Sequence, residues 1–253
     1  MGIAILNDLA PSTRIYRMMR VEHLEDMFHS RHNSLIRPSK WIDKSDGNLL
    51  KVGFEDEQYA INELDKMVYA QCWTTEYSSA LMWQAYANNP KDFVRIRTTV
   101  GKLQASMNDA DKNPNFYPFR AFIGAVEYID RRKAEKYQRD ISQQHTEWEL
   151  LAKSFLVKSD FFQGENEVRL ICFVQDHDYT NECDIDIFPY SVNPHNLVEA
   201  IHLPPNLTHI EFEQYRRMIV KLISVDEKIV KRSTIYDPWE LQSIKVQKIP
   251  SLS

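Results

Sequence analysis

The chain has 253 residues, of which 43% are hydrophobic and 26% are charged, and its formal net charge is −5. This composition is ordinary for a globular protein with a substantial core, and the negative charge excludes a chain-wide electrostatic hold on nucleic acid while leaving a local basic patch open. With only 6 glycines, the sequence lacks the glycine-rich loops that cradle phosphates in P-loop and dinucleotide-binding proteins.

Further patterns bear on the cellular compartment and on metal binding. The N-terminus has no secretory signal, and no window approaches the roughly 18 consecutive apolar residues of a membrane span. Cys72, Cys172 and Cys183 form no C-x-x-C pair, and the histidines lack metal-ligand spacing. We therefore expect a cytoplasmic protein with reduced thiols, with no membrane contact and no bound metal.

Hydrophobic periodicity and turn residues predict the elements of the N-terminal half. In chain order we predict an extended run at 14–18, a short helix through Phe28, a loop at 37–48, a helix at 55–65, a strand at 67–73, a helix at 78–87 and a strand at 93–98.

The C-terminal half is predicted by the same rules. We expect a strand at 121–129, a long and largely helical charged stretch at 131–157, a strand at 167–174, extended segments at 183–188 and 197–203, a helix from 208 to about 223, and a strand at 228–233. The capping box of Thr208 and Glu211 marks the start of that last helix.

The irregular mixture of these elements favours an α+β fold over a doubly wound parallel sheet. We predict a single α+β domain over residues 1–240, with mixed, largely antiparallel sheets flanked by helices. Residues 241–253 are polar and are predicted to form a loosely held C-terminal tail.

The segment from Glu165 to Leu170 puts ionisable side chains at every second position where a strand begins. Because successive strand residues point to opposite faces, Glu165, Glu167 and Arg169 are predicted to project from one face. They are interpreted either as a solvated face or as a functional site at the rim of the core. Glu167 and Arg169 are also close enough to form a purely structural ion pair.

Several short motifs occur in an order that resembles the bacterial family called domain of unknown function 2971. The resemblance covers residues 14 to 235 and rests on Tyr16-Arg17, Cys72-Trp73-Thr74, Leu81-Met82-Trp83 with Tyr86, Lys153-Ser154, and Glu165-Asn166-Glu167-Val168-Arg169-Leu170. One departure is Asn89-Pro90-Lys91-Asp92, which stands where many members have a glycine-bearing turn.

The order of these motifs also resembles the ADP-ribosyltransferases. That group has an Arg or His on its first strand, a Ser/Thr-rich strand end that leads into a helix, and a late strand with the catalytic Glu. Arg17, Thr74-Thr75 and Glu165-Asn166-Glu167 follow the same order here. The resemblance implies a split sheet and an effector, of a toxin or phage-defence type, that uses NAD as co-substrate to modify a macromolecular acceptor, either protein or nucleic acid.

The resemblance also implies site residues. Cleavage of the bond between nicotinamide and ribose develops positive charge on the ribose, which a carboxylate stabilises. Glu167 would be the catalytic residue, and Glu165 would face the acceptor. The remaining implied residues are Thr74 or Thr75 to orient the carboxylate, Arg17 to hold the dinucleotide phosphates, and Tyr16, Trp73, Trp83, Tyr86 and Arg169 to contact the cofactor. On this basis Glu167→Gln is expected to leave the fold intact and to remove activity.

Each of these assignments has a structural alternative. An arginine such as Arg17 is more often a surface or structural residue, and Thr74-Thr75 is equally interpreted as the turn that opens the next helix. Trp83 and Tyr86 lie at the helical spacing of core residues. The alternative function is a non-catalytic module that binds a nucleotide or a protein on the same scaffold. A metal-dependent nuclease is less favoured, because no cluster of acidic residues with lysine stands out.

Overall fold

The secondary structure is described by a computed structural model over residues 2–41, 66–77, 80–86, 89–113, 117–133, 136, 139, 147–174 and 186–236. The strands are β1 Ala4–Leu6, β2 Arg14–Arg20, β3 His32–Ile36, β4 Val68–Thr74, β5 Phe93–Thr99, β6 Phe119–Ala125, β7 Glu127–Ile129, β8 Val157–Ser159, β9 Glu167–Val174, β10 Ile187–Ser191, β11 Ala200–His202 and β12 Val230–Lys231. The helices are α1 Val21–Ser30, α2 Ala80–Tyr86, α3 Val100–Asp111, α4 Glu147–Ser154, α5 Pro194–Leu197 and α6 His209–Ile223.

One large sheet organises the described strands. Its order is β1-β6-β9-β4-β2-β5-β11-β12, and β10 joins through β3, which pairs with β4. The pairings are antiparallel except those of β1 with β6 and β11 with β12, and β7 with β8 forms a separate parallel pair. The predicted α+β class with a largely antiparallel sheet flanked by helices is confirmed.

The sheet splits beside β4. On one edge β4 pairs with β9 along its whole length, from Val68 to Thr74. On the other edge the paired residues are Tyr16 of β2 with Thr74 at one end, and Ile36 of β3 with Ala70 at the other. Between these two contacts the strands diverge, because β2 follows β5 over its full length and β3 follows β10. A gap therefore opens along the middle of β4, as the split sheet implied by the sequence requires.

Two apolar cores cover the two faces of the sheet. The larger core contains Ile15, Tyr69 and Leu170 and includes residues of α1, α3 and α6. The smaller core lies under α4, where Phe173 packs with the segment that follows the helix. Gly124 of β6 is needed there, because a Cβ at this position would overlap the Leu156 side chain.

Two predicted elements of the middle region were wrong in their extent. The strand predicted at 121–129 is divided at Val126, whose N–H donates to the Glu167 carbonyl at 2.9 Å while the next N–H, of Glu127, donates to the Leu156 carbonyl at 2.7 Å. This change of partner turns the chain from β6 into β7. The helical stretch predicted to run to 157 ends at Ser154, and Val157 already belongs to β8.

The C-terminal predictions were more accurate for the helix than for the strands. The capping box of Thr208 and Glu211 is present, and α6 follows it. The strand predicted at 228–233 is limited to β12, because Glu227–Ile229 forms a 3-10 turn. The extended segment predicted at 197–203 narrows to β11. Helix α3, which opens at the Thr99 cap, was not predicted.

Some predictions lie outside the described residues. These are the helix at 55–65, most of the loop at 37–48, most of residues 134–146 in the helical stretch at 131–157, the start of the segment at 183–188 and the tail at 241–253. In the described part of the chain no helix has the length and apolar character to cross a membrane. The single-domain boundary at residue 240 stays a prediction.

Candidate functional site

A cavity of about 210 Å³ occupies the split in the sheet. Its walls come from β2, β4, α2 and the segment that enters β9. The predicted site residues that line it are Tyr16, Arg17, Trp73, Thr74, Glu165 and Glu167, and Cys72 and Met82 lie on the same wall surface. The divergence of β2 from β4 thus brings together residues that are about 150 positions apart in the sequence.

Arg17 forms the cationic side of this cavity. Its side chain is half-buried, and its Nη1 makes one long hydrogen bond of 3.5 Å to Asn33 Oδ1. No carboxylate among the described residues is within ion-pair distance of it. Burial lowers the pKa of the guanidinium, although nearby Tyr190 and Cys72 act in the opposite direction. Most of its hydrogen-bond donors are therefore available to a ligand.

Glu167 and Arg169 form a buried, bidentate ion pair. Arg169 donates from Nε to Glu167 Oε1 at 2.9 Å and from Nη2 to Oε2 at 2.8 Å. Its Nη1 donates to the Phe155 carbonyl at 2.8 Å, and the guanidinium stacks 4.6 Å from the Trp41 ring centre. The side chain of Arg169 is completely buried and does not line the cavity. These contacts fit the interpretation of Glu167 and Arg169 as a structural ion pair. We therefore do not retain Arg169 as a cofactor contact.

Lys158 of β8 is a component of the site that sequence reasoning missed. Its Nζ donates to Glu165 Oε2 at 2.8 Å and lies 3.5 Å from Glu167 Oε2, with the side chain only 7% exposed. A single buried lysine therefore joins the two carboxylates. The sequence contained only a weak indication of this role. Lys158 follows an apolar run, and two carboxylates at the edge of a core are stabilised by a nearby cation.

The charge state of Glu167 follows from these neighbours. Burial alone would raise the pKa of its carboxyl, but the hydrogen bonds and charge of Arg169, together with Lys158, bring the pKa below its usual value. The carboxylate is therefore ionised near neutral pH. Burial and the adjacent Glu167 charge raise the pKa of the Cys72 thiol well above its usual value, so this thiol stays protonated and hydrogen-bonds to Glu167. Cys72 is thus not an activated nucleophile.

Glu165 reaches the cavity from a turn and not from the strand. It ends the 3-10 turn Asp160–Glu165, and Asn166 has a left-handed φ of 44° that interrupts the extended run predicted from alternation. The Thr74 hydroxyl donates to the Glu165 carbonyl at 2.5 Å, and the Thr75 N–H donates to the Asn166 carbonyl at 2.9 Å. Both threonines therefore hold the backbone of this turn. Neither has a described hydrogen bond to a carboxylate side chain, which was the role implied for them.

The aromatic residues are divided between the cavity and the core. Tyr16 and Trp73 line the cavity, and Trp73 Nε1 donates to Gln71 Oε1 at 2.8 Å. Trp83 is buried and is not part of the lining, in agreement with its interpretation as a core residue. Tyr86 lies in α2, but its side chain is outside the described residues.

A second cavity, of about 350 Å³, also has Arg17 in its lining. Arg17 and Ile36 line both cavities. The second one is otherwise formed by α1, β3, Met19 of β2 and Ile187 of β10, and its polar lining residues are His23, Asp26, His32, Asn33 and Ser34. Within the described part of the chain, no group of three or more His, Cys, Asp or Glu side chains is arranged to hold a metal ion.

Comparison with known proteins finds one family model that matches part of the chain, and several distantly similar structures. Residues 82–170 match the model of a family described as protein of unknown function (DUF2971), which confirms the predicted resemblance over that segment. No curated protein sequence matches the chain.

Solved structures that are similar to the chain include complexes of DarT from Thermus sp. 2.9. The complex with NAD+ has a TM-score of 0.37 and 10% identity, covering 85% of this chain and 92% of that one. The complex with ADP-ribosylated ssDNA has a TM-score of 0.36 and 9% identity, covering 86% and 92%. The site described above does not depend on these distant similarities.

Proposed function

We propose that the protein is an ADP-ribosyltransferase-like enzyme that uses NAD to modify a macromolecule, as a toxin or a defence effector would. One observation carries the proposal: a single cavity has the Arg17 guanidinium on one side and the carboxylates of Glu165 and Glu167 on the other. NAD requires this separation of charge, because its diphosphate is anionic and its ribose becomes cationic when nicotinamide leaves.

Arg17 is the proposed phosphate ligand. A guanidinium offers its donors in a planar fork that matches two phosphate oxygens. Its one long hydrogen bond to Asn33 and its lack of a carboxylate partner among the described residues support this role. An anion bound here would also offset the burial of the Arg17 charge.

The two cavities together support a dinucleotide more than a mononucleotide. The first cavity, at about 210 Å³, is smaller than the roughly 300–1,000 Å³ typical of ligand sites. The second adds about 350 Å³ beyond Arg17. We assign the nicotinamide-ribose half of NAD to the first cavity and the adenosine half to the second, with the diphosphate at Arg17 between them.

Glu167 and Glu165 take different roles in the proposed reaction. The ionised Glu167 carboxylate, fixed by Arg169 and Lys158, stabilises the developing positive charge at ribose C1′. The bond from C1′ to the nicotinamide nitrogen breaks, and its electron pair leaves with nicotinamide. An acceptor oxygen or nitrogen bonds to C1′ and passes its proton to Glu165, whose side chain is 24% exposed and therefore accessible.

A non-catalytic nucleotide-binding module is the second candidate. It is favoured by the fact that both carboxylate oxygens of Glu167 already accept hydrogen bonds from Arg169. Two cations next to the carboxylate weaken its attraction for a developing positive charge. On this alternative Arg17 still binds phosphate, but no bond in the ligand is broken.

Incubation of the purified protein with NAD separates the two candidates. The enzyme hypothesis predicts release of nicotinamide, measured by chromatography, and a slower release in Glu165→Gln when an acceptor is present, because this variant lacks the proposed base for the acceptor. The matched control is Glu213→Gln, which removes a carboxylate of similar partial exposure, 29%, that is paired with Arg216 on α6. Binding of NAD by calorimetry without nicotinamide release, with and without a protein or nucleic acid acceptor, would reject the enzyme and retain the binding module.

A further inference from the structure

A cluster of cationic and aromatic side chains lies on the sheet face next to the cavity. It consists of Tyr16, Tyr77, Arg95, Arg97 and His202, and we call it the Arg95 cluster. Strand register brings it together, because Tyr16 pairs with Arg97 across β2 and β5, and His202 pairs with Arg95 across β5 and β11. The alternate residues of β5, such as Ile96, are turned into the main core.

Arg95 is the unusual member of the cluster. The residue is only 3% exposed, its Nε has no hydrogen-bond partner, and no described carboxylate is within ion-pair distance. The guanidinium instead lies 5.0 Å from the Tyr16 ring centre and 5.6 Å from that of Tyr77. A buried guanidinium without a hydrogen-bonded anion is unfavourable, so this arrangement indicates a site that an anionic ligand completes.

The surroundings of Arg95 are predominantly cationic. The positive charges of Arg95, Arg97 and Lys231 all favour a lower pKa of His202. Those of Arg14 and Arg97 do the same for Tyr16. Glu199 neutralises part of this charge, since it lies 3.5 Å from Arg97 and 3.0 Å from Lys102. Glu76 is a further carboxylate near Arg95. Cations outnumber carboxylates here, although the whole chain has a net charge of −5.

Tyr77 adds an exposed aromatic surface to these charges. Its side chain is 52% exposed, and its ring meets Tyr16 and His202 edge-on at 5.8 and 6.3 Å. These contacts hold the ring in place and leave part of it open to solvent. Cations that attract phosphates, combined with an open aromatic ring, form the usual binding surface for single-stranded nucleic acid.

We propose that the Arg95 cluster binds a single-stranded nucleic acid, with a phosphate at the partly exposed Arg97, a base stacked on Tyr77, and the buried charge of Arg95 attracting the strand from beneath. Tyr16 belongs both to this cluster and to the cavity lining, so a strand bound here passes the cavity. The strand is therefore the macromolecular acceptor, an assignment that rests on the function proposed above. A duplex is disfavoured, because its bases are not free to stack on a side chain.

Fluorescence anisotropy with a labelled 12-nucleotide single strand, of DNA and of RNA, tests the binding without NAD. Tyr77→Ala is expected to weaken binding about fivefold or more, since one base–aromatic stack contributes at least that factor. Arg97→Gln should weaken it and reduce the salt dependence by about one phosphate contact. The matched control is Tyr117→Ala, which removes a tyrosine that is 44% exposed next to β6 and outside the cluster.

The outcomes separate this inference from the proposed function. Nicotinamide release by a protein that binds no single strand, or whose Tyr77→Ala variant binds it as the wild type does, overturns the nucleic-acid inference alone. Single-strand binding without any nicotinamide release, in the presence of NAD and the strand, overturns the acceptor role. Equal affinity for a duplex of the same sequence overturns the assignment of the Arg95 cluster to single strands. Support requires tight single-strand binding, a weakening of about fivefold or more in Tyr77→Ala, and transfer of ADP-ribose to the strand.

Discussion

Arg169 donates two hydrogen bonds, at 2.9 and 2.8 Å, to the carboxylate of Glu167, which lies two positions before it on the same strand. The pair is buried beneath Trp41, and a third bond from Arg169 ties it to the Phe155 carbonyl. Glu167 therefore has a structural function whatever its chemical function is. This changes what is expected when it is substituted.

Glu167→Gln is predicted to destabilise the protein by about 3–5 kcal/mol, because it leaves the buried Arg169 charge uncompensated. The sequence alone suggested that the fold would be unaffected. Urea unfolding measures the change, and Glu213→Gln, in a partly exposed pair within one helix, is expected to shift stability by less than about 1 kcal/mol. The double variant Glu167→Gln/Arg169→Met should recover part of the loss. An unchanged unfolding midpoint in Glu167→Gln would contradict the structural role.

Glu165→Gln is predicted to reduce transfer to an acceptor by about 10²- to 10⁴-fold, the usual contribution of a general base. Stability should change little, because the side chain is partly exposed and an amide can keep one hydrogen bond to Lys158. The measurement is the steady-state rate of acceptor modification beside an unfolding curve. If acceptor modification proceeds at the wild-type rate, Glu165 is not the base.

Arg17→Met is predicted to weaken NAD binding by about 10- to 100-fold, as expected when charge-assisted hydrogen bonds to a phosphate are lost. Its stability should be equal to or higher than that of the wild type, because the half-buried cation has no carboxylate partner in the described residues. Calorimetry with NAD measures the affinity. Arg20→Met is the control, since Arg20 is an exposed residue at the end of the same strand. Equal losses in both variants would argue against a specific phosphate site.

Stability is predicted to fall as the pH decreases from 6.5 to about 4, because of His202. Burial, followed by the charges of Arg95, Arg97 and Lys231, lowers the pKa of His202 from 6.5 to about 4. A histidine whose pKa is lower in the folded state stabilises the fold fully above its unfolded pKa and loses that contribution as it is protonated. The loss is of the order of 3 kcal/mol.

Urea titrations at pH 7.5, 5.5 and 4.5 on the wild type and on His202→Gln check this pH dependence. The carboxyl of Glu167, whose pKa is lowered on folding, adds a further loss only as the pH falls below its usual value of 4.5. The two groups are thereby separated by their pH windows. A pH profile of stability between 7.5 and 4.5 that is identical in His202→Gln and the wild type would refute the assignment.

Gly124→Ala is predicted to destabilise the protein by about 1–3 kcal/mol, because its Cβ would overlap the Leu156 side chain. Leu156 follows the carbonyl of Phe155 that accepts from Arg169, so the Glu167 pair should be displaced too. Gly164→Ala is the matched control, since a Cβ there meets no atom within 4 Å. Thermal unfolding and NAD binding are compared for the two variants. Equal stability of the two would contradict the close packing at Gly124.

The sequence by itself determined the elements whose stability is local. The alternation through β9 and the capping box of Thr208 with Glu211 were recognisable because a strand face and a helix start depend on residues a few positions apart. The resemblance that rests on the order of short motifs likewise implied the split sheet and the site residues Arg17 and Glu167, since motif order can be read from the sequence.

Only the tertiary structure decided which partners these residues meet. Lys158 joins the two carboxylates from a strand that the sequence did not predict, and the Asn166 turn moved Glu165 out of β9. Arg95 could not be distinguished from a solvated arginine until β11 and Tyr77 were placed around it. The physical reason is that ion pairs, burial and pKa values depend on distances across the sheet, and these are set by strand pairing between segments far apart in the chain.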